Sequence, residues 1–593
     1  MRISKYLLVG AVIGAVAGLG LHSRAQEKPP VPPPTVNQDK APADKAANNQ
    51  VGGLRFVDTT EITVVNVDVS VSDKKGPIAG LTADAFDVYQ DGRLQTLSNF
   101  GFYSKEGPAL PAPTPARTVA AAGPTPVPAE PTPVPPRRDP RFLALYVDNE
   151  NIMPFNRNRV MTKLTDWVHD HLVPPDAMMV VSYQRSTKVL QPFTSDPSEV
   201  AEALRTMKRY TGGRSDALNG RRDVEDYINS ASNGSTGNTQ TSLSTAIERA
   251  RSYAREQHNN LTFTVRALQE LVGTMSGLPG KKAIIYVSDG LPMSPGLELF
   301  YEIQDKFRDP GSLSSSRDFD ASDLFRGLVN TAVASGVTLY TIDAKGLESE
   351  LGMEAENRQP RSSLAAGIAT NNYQDSLIFM ANQTGGLAVL NANDPTPGLG
   401  RIAADLETYY SLGYRLSPSG QDRVHRIEVK VKGHPEYRLS YRKNFIERTL
   451  PTKIADRVVS GLSYDLQENP LGIDLKTQEP APSSNNRWTL PVEVHVAMDK
   501  IALIPDGNDL VGYLMVYYAA RDDEGKQSDL QRTEHVVRMP AKDYERSKRG
   551  FFTVTAQLLL NPGNYKISVG VRDELTNQAG YATTGQRVHP EAQ

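Results

Sequence analysis

Apolar and polar positions alternate from Ile62 onward, where Ile62, Val64, Val67 and Val69 interleave with Thr, Asn, Asp and Ser and stop at Ser72-Asp73-Lys74-Lys75-Gly76. Period-two alternation closed by turn residues predicts a half-buried strand. Asp91-Gly92 then separates Phe86-Asp87-Val88-Tyr89 from Leu94-Gln95-Thr96-Leu97. That arrangement predicts a hairpin in which Gly supplies the positive φ, so residues 53–106 read as a small β module. From Arg141 the pattern changes to continuous apolar strands alternating with helical periods. Phe142–Val147, Met178–Tyr183, Ala283–Val287, Val337–Ile342 and Leu387–Leu390 read as strands. Helices fall between them, with Val160, Leu164, Trp167, Val168 and Leu172 at helical spacing in the first, and Thr264–Met275, Leu324–Ala334, Asp375–Ala381 and Leu399–Leu406 later. Strand and helix in alternation predict a mostly parallel sheet with helices on both faces. Residues 212–260 interrupt it as a polar insertion with one helix around Thr245–Glu256. The strands Ser411–Leu416, Ile427–Lys432 and Tyr437–Tyr441 read as edge strands that extend the sheet or form a lip against it, closing this domain at 447. Beyond it, Leu490–Ala497, Val511–Tyr518, Phe551–Leu560 and Tyr565–Val571 alternate between turn signals, and 448–593 reads as a β-sandwich.

Composition narrows the chemistry. The chain has 593 residues, with 65 Lys and Arg against 68 Asp and Glu for a net charge of −3, so no basic footprint points to nucleic acid. Cys is absent, which excludes disulfides, thiolate nucleophiles and Cys-zinc sites. Arg2 and Lys5 precede the apolar run Tyr6 to Leu21, and Ser23-Arg24-Ala25 supplies a small-x-small cleavage signal. Residues 1–25 are therefore expected to be a signal peptide, leaving no transmembrane helix after cleavage and placing the protein in the periplasm, at the cell surface or outside the cell. Residues 26–52 read as a disordered tether, and the Pro-, Ala- and Thr-rich stretch 107–138 as a polyproline spacer able to hold the first module away from the α/β domain.

Three segments meet at the carboxyl ends of the predicted parallel strands, where open α/β sheets bind ligands. Asp148, Asn149, Glu150 and Asn151 follow the first strand, Ser288-Asp289-Gly290 follows the strand Ile284–Val287, and Thr262 lies just ahead of the helix between them. Carboxylates with a hydroxyl form a hard-oxygen set suited to Mg²⁺ or Ca²⁺. The second reading of the two aspartates is as turn and cap residues bonding nearby N–H groups.

Residues 141–410 resemble a von Willebrand factor type A (VWA) domain, and most of the chain after residue 52 resembles the VWA-related proteins of the secreted bacterial, acidobacterial type. Flanking phrases agree: Phe86-Asp87-Val88-Tyr89-Gln90-Asp91-Gly92, Lys281-Lys282-Ala283-Ile284-Ile285-Tyr286-Val287-Ser288-Asp289-Gly290, Tyr340-Thr341-Ile342-Asp343-Ala344-Lys345-Gly346 and Tyr409-Tyr410-Ser411-Leu412-Gly413-Tyr414. The resemblance implies a Rossmann-like domain spanning 139–447 and a metal-ion-dependent adhesion site built from an Asp-x-Ser-x-Ser turn, a distal Thr and a distal Asp before Gly. Asp148 matches the first Asp, Glu150 stands at the first Ser, Ile152 replaces the second Ser, Thr262 matches the Thr with Thr239 and Thr241 as alternatives, and Asp289 matches the last Asp. The implied metal set is thus Asp148, Glu150, Thr262 and Asp289, degenerate because Ile152 offers no oxygen.

Enzyme motifs are missing. His169 and His171 stand two apart on a predicted helix, and no His-Glu-x-x-His, Gly-x-Ser-x-Gly, Walker A or dinucleotide glycine fingerprint occurs. The expectation is an exported, non-enzymatic protein that binds an unidentified protein ligand at the cell envelope. The alternative is a structural component of an envelope assembly without a discrete ligand site.

Overall fold

A computed structural model of the chain describes residues 50–51, 54–55, 63–73, 76–104, 140–232, 239–347, 363–416, 419–464, 468–483 and 487–588. The expected signal peptide, most of the tether and the Pro-rich stretch lie outside them. In the first compact unit, residues up to Thr60, the short strands Gln50–Val51 and Leu54–Arg55 pair antiparallel. The second unit runs from Glu61 onward and mixes helices with parallel and antiparallel sheets.

The parallel sheet has six strands: β1 (Arg141–Asp148), β2 (Ala177–Gln184), β3 (Ser186–Thr194), β4 (Lys281–Ser288), β5 (Val337–Asp343) and β6 (Ala388–Val389). Their lateral order is β3-β2-β1-β4-β5-β6, parallel throughout except for the antiparallel edge strand β3. β1 is buried along its whole length, which is why it reads as an unbroken apolar run. One face packs Tyr146, Met179, Ile284 and Tyr286 against Val265, Leu268 and Phe325, and the other packs Leu145, Val180 and Ile285 against Val160, Leu164, Trp167 and Ile402. The helices are α1 (Pro154–His171), α2 (Pro197–Met207), α3 (Arg214–Ser232), α4 (Thr239–Met275), α5 (Leu297–Phe307), α6 (Ser322–Ser335), α7 (Ser363–Thr384) and α8 (Thr396–Glu407).

The insertion 212–260 is built differently from a polar loop. It contains α3 and the first half of α4, and α4 runs unbroken for 37 residues through the expected gap at 257–263. Two apolar stripes explain this. Ala246, Ala250, Tyr253 and Ala254 pack with Val224, Ile228, Leu299, Phe300 and Ile303, whereas Leu261, Val265, Leu268 and Val272 continue on the main sheet. The helix changes partner along its length, and the exposed and half-buried polar residues between the stripes do not end it.

The strands after 408 do not join the α/β sheet but pair in two others. Tyr409–Leu416 lies between Thr63–Asp73 and Leu97–Tyr103, with Arg438–Tyr441 on the outer edge of Thr63–Asp73. Arg423–Val431 pairs with Phe86–Gln90 and Asn444–Glu447. These two sheets share a core of Val65, Val67, Val69, Phe86, Val88, Tyr410, Leu412, Tyr414, Ile427 and Val429. The segments expected as edge strands of the α/β domain therefore complete a sandwich with the N-terminal module, and the α/β domain is inserted between two neighbouring strands of one sheet. Tyr103 and Tyr409 are cross-strand partners with rings stacked 4.9 Å apart. Lys281 Nζ lies 4.2 Å from the Tyr409 ring centre, and Lys281 is opposite Arg141, the first residue of β1. The module thus sits against the entrance and exit of the domain, not at the end of a spacer.

The C-terminal part opens with a helix, α9 (Leu450–Gly461), that the strand pattern does not announce. Its apolar side, Ile454 and Val458, packs with Tyr517, Ala519 and Tyr581. Its other side meets α4: Ser460 Oγ donates to Thr274 O at 2.8 Å and accepts from Gly277 N at 2.9 Å. A Cβ on Gly277 would stand 2.3 Å from Asp456 O, so only glycine allows this approach. Beyond it, Trp488–Ala497 and Phe551–Leu560 face Asp509–Asp522, Gly563–Asp573 and Ala579–Val588 across a core that includes Val492, Val494, Val516, Val569 and Val571, a two-sheet sandwich. Among the described residues, no helix is long and apolar enough to cross a membrane.

Trypsin is expected to cut at Arg137 or Arg138. Because Thr63–Asp73 and Leu97–Tyr103 flank Tyr409–Leu416, the N-terminal piece should stay bound after cleavage. A nicked protein that elutes from size exclusion as one species, with both pieces seen by mass spectrometry in denaturant, is the expected outcome; two separated species would contradict the pairing.

Candidate functional site

The strand order reverses between β1 and β4, so chain connections leave their carboxyl ends toward opposite faces and open a crevice there. Asp148 ends β1 and Asp289 follows β4, and both are buried. Buried carboxylates need donors, and the structure supplies them to both oxygens of each. The Tyr286 hydroxyl donates to Asp148 Oδ2 at 2.5 Å, Asn151 Nδ2 donates to the same oxygen at 3.0 Å, and the Asn151 N–H donates to Oδ1 at 3.1 Å. Burial nevertheless dominates and pushes the Asp148 carboxyl up to about 6.

Asp289 accepts from the Met153 N–H at 2.9 Å, which holds the N-terminus of α1, and Asn156 Nδ2 reaches its two oxygens at 3.1 and 3.0 Å. Arg214, the first residue of α3, places Nε 3.8 Å from Asp289 Oδ2. Burial raises the Asp289 carboxyl above its ordinary range, with the Arg214 charge as the largest opposing influence. The guanidinium is itself buried: Nη1 lies 3.4 Å from Asn151 O and 3.5 Å from Gly290 O, and its carbon stands 4.9 Å from the centre of the Tyr373 ring.

Two glycines let this happen. A Cβ on Gly212 would lie 2.5 Å from Ile152 O, and one on Gly213 would lie 2.8 Å from the Glu150 carboxylate. With no side chains there, residues 212–213 lie flat on the loop 149–152, and the Gly213 N–H donates to Asn149 O at 2.8 Å. Asn149 in turn donates to Ser182 Oγ at 2.6 Å and accepts from the buried Arg157 at 3.0 Å. Glu150 is half-buried, with its carboxyl raised by burial, lowered by Arg185 and raised again by Asp216.

The four candidate metal ligands do not converge. Ile152 is fully buried in the core. Thr262 lies inside α4, not at a helix start, and its hydroxyl donates to His258 O at 2.8 Å. The threonine at the edge is Thr264, two residues on and so on another face of the helix, whose hydroxyl accepts from Asn151 Nδ2 at 3.3 Å. Thr241 is exposed near the start of α4, in the part of the helix that packs over α3 and α5. Among the described residues, no group of three His, Asp or Glu side chains is placed to hold a metal ion. Hydrogen bonds already engage both oxygens of Asp148 and both of Asp289, and Arg214 sets a positive charge beside Asp289. The residues therefore do not fit Mg²⁺ or Ca²⁺. Arg214, Asn156, Tyr286 and Thr264 are the site residues that the adhesion-site motif does not mark; the one local signal for Arg214 is the Gly-Gly pair ahead of it.

No protein-family model matches the chain, and no curated protein matches it. Among solved structures, the chain is similar to the conserved hypothetical protein BatB from Bacteroides thetaiotaomicron at 10% identity, covering 45% of this chain and 96% of that one, TM-score 0.21. It is also similar to a point mutant of the PilB minor pilin from Streptococcus sanguinis, 10% identical over 60% of this chain and 80% of that one, TM-score 0.25. Three N-terminal domains of the type V pili tip protein Mfa5 from Porphyromonas gingivalis match at 10% identity over 74% of this chain and 75% of that one, TM-score 0.24.

Two stability measurements test this site. Removing one partner of a buried ion pair leaves the other charge exposed to a low-dielectric interior, so Arg214→Ala should cost about 3 kcal/mol in urea unfolding, whereas Thr262→Ala should stay within ~0.5 kcal/mol. The pH dependence has a definite sign. A carboxyl raised in the folded state favours folding while protonated and loses that contribution as pH rises from its unfolded value of 3.8 to about 6. Asp148→Asn lacks the titration, so its stability relative to the parent should rise by about 3 kcal/mol in all from well below the lower of those pH values to well above the higher. A constant difference would show that Asp148 is not buried as described.

Proposed function

We propose that the chain is an exported, non-enzymatic protein of the VWA type whose α/β domain binds a protein ligand at the cell envelope through the strand-end edge of β1 and β4. The observation that carries this reading is the reversal of strand order at Asp148 and Asp289, with an insertion folded directly over it. Such a switch point is where doubly wound sheets present ligand sites, and the order β3-β2-β1-β4-β5-β6 is that of the Rossmann arrangement with its first-edge strand turned antiparallel. The VWA-like phrases around Ser288-Asp289-Gly290 and Tyr340-Thr341-Ile342-Asp343 support the same assignment. In this reading Arg214 takes the place of the divalent cation, so the edge is permanently formed and recognition is independent of metal. Glu150 and Arg185, of opposite charge beside the edge, supply the polar contacts.

Immobilised full-length protein should retain the same envelope proteins in chelator and in millimolar Ca²⁺, and Glu150→Lys or Arg185→Glu should reduce that retention at least about tenfold, the equivalent of 1.4 kcal/mol. Release by chelator, or retention indifferent to both charge reversals, would overturn the assignment.

A further inference from the structure

The strand Phe551–Leu560 forms one edge of a sheet in the C-terminal sandwich, paired with Trp488–Ala497 on one side over ten consecutive residues without a bulge. Its sequence, Phe-Phe-Thr-Val-Thr-Ala-Gln-Leu-Leu-Leu, has no charge, proline or glycine. Proteins normally guard exposed edges with charges, prolines, bulges or brevity, because a free row of N–H and C=O groups is a template for another strand. Three other edges among the described residues follow that rule. Gln531–Pro540 carries Arg532, Glu534 and Arg538 and ends in proline, β3 carries Lys188, Pro192 and irregular pairing, and Asp474–Thr477 is four residues long with two charges.

The core residues of the unguarded strand are also less completely covered than those of its neighbour. Val554, Ala556, Leu558 and Leu560 keep 6, 7, 8 and 7% of their surface exposed, whereas Val492, Val494 and Val496 on the paired strand keep 1, 0 and 0%. On the outward face Phe551 and Leu559 are 58% and 46% exposed. We propose that this strand pairs antiparallel with the same strand of a second copy of the chain, about a two-fold axis at Thr555, joining the two sandwiches into one continuous sheet. The register is what selects a second copy. With Thr555 opposite itself, Phe551 meets Leu559 on the outward face and Phe552 meets Leu558 on the core face, each pair occurring twice, and Thr553 meets Gln557. Cross-strand apolar pairs of this kind stabilise a sheet, no like charges face one another, and a two-fold interface must be self-complementary in this way.

The absence of native cysteine makes the register directly readable. Directly opposite residues bring their Cβ atoms within about 5.5 Å, close to disulfide reach. In full-length protein, Thr555→Cys should give a disulfide-linked dimer under mild oxidation, Thr553→Cys should remain monomeric on a non-reducing gel, and the pair Thr553→Cys with Gln557→Cys should cross-link. Sedimentation should show a concentration-dependent dimer that Thr555→Lys abolishes by setting two like charges face to face. A monomer at all concentrations, equal cross-linking by Thr553→Cys and Thr555→Cys, or a dimer indifferent to Thr555→Lys would each overturn the proposal, the last two by showing that a different surface joins the copies.

Discussion

Two carboxylates buried at the ends of neighbouring parallel strands constrain most of the structure around them. Asp148 and Asp289 are buried, and an unpaired ion in such a place costs far more than a single interaction returns. The protein meets that cost with its own groups. The turn at Asn151, the N-terminus of α1, the Asn156 amide, the Tyr286 hydroxyl and the Arg214 guanidinium all converge on these oxygens or stand beside them. Gly212 and Gly213 have to be glycines for Arg214 to arrive, and α3 has to begin there, so the insertion is a structural part of the edge.

Connectivity sets where that edge is displayed. The α/β domain leaves and re-enters one sandwich through adjacent strands, and Tyr410 sits among Phe86, Phe100 and Phe102 just after the exit, with ring centres 5.1, 6.0 and 4.8 Å away. The sandwich therefore abuts the start of β1, where Arg141 is locked to Asp176 by side-chain bonds of 2.8 and 2.5 Å, and the candidate site lies at the opposite ends of the same strands. The C-terminal sandwich is attached separately, through α9 against α4.

Much of the fold is legible in the sequence because burial on both faces writes itself locally: Phe142–Val147 and Ala283–Val287 are continuous apolar runs and can be little else than central parallel strands. Long-range pairing leaves no such trace. Tyr409–Leu416 alternates as any strand does, and nothing in it names a partner more than 300 residues earlier, so its place in the first sandwich is invisible until the chain is folded. The same limit applies to α4, whose two apolar stripes face different neighbours and read as two helices. The consequence reaches the threonine: with a helix start at Thr264, Thr262 stands at the edge, whereas in one unbroken helix Thr264 does. Asp148 and Asp289 follow from strand ends and spacing, but Arg214 acts across 75 residues and is signalled only by the two glycines before it.

In the proposed reading, Arg214 beside Asp289 holds the place a divalent metal would fill. Thermal unfolding of the full-length protein, titrated with Mg²⁺ and Ca²⁺ to ~10 mM after chelator treatment, tests it most directly. A native-state site with a hundredfold excess of ligand over its Kd would gain about 2.7 kcal/mol. No cation-dependent rise in Tm is expected; a saturable rise that Asp289→Ala removes would contradict the proposed role of Arg214.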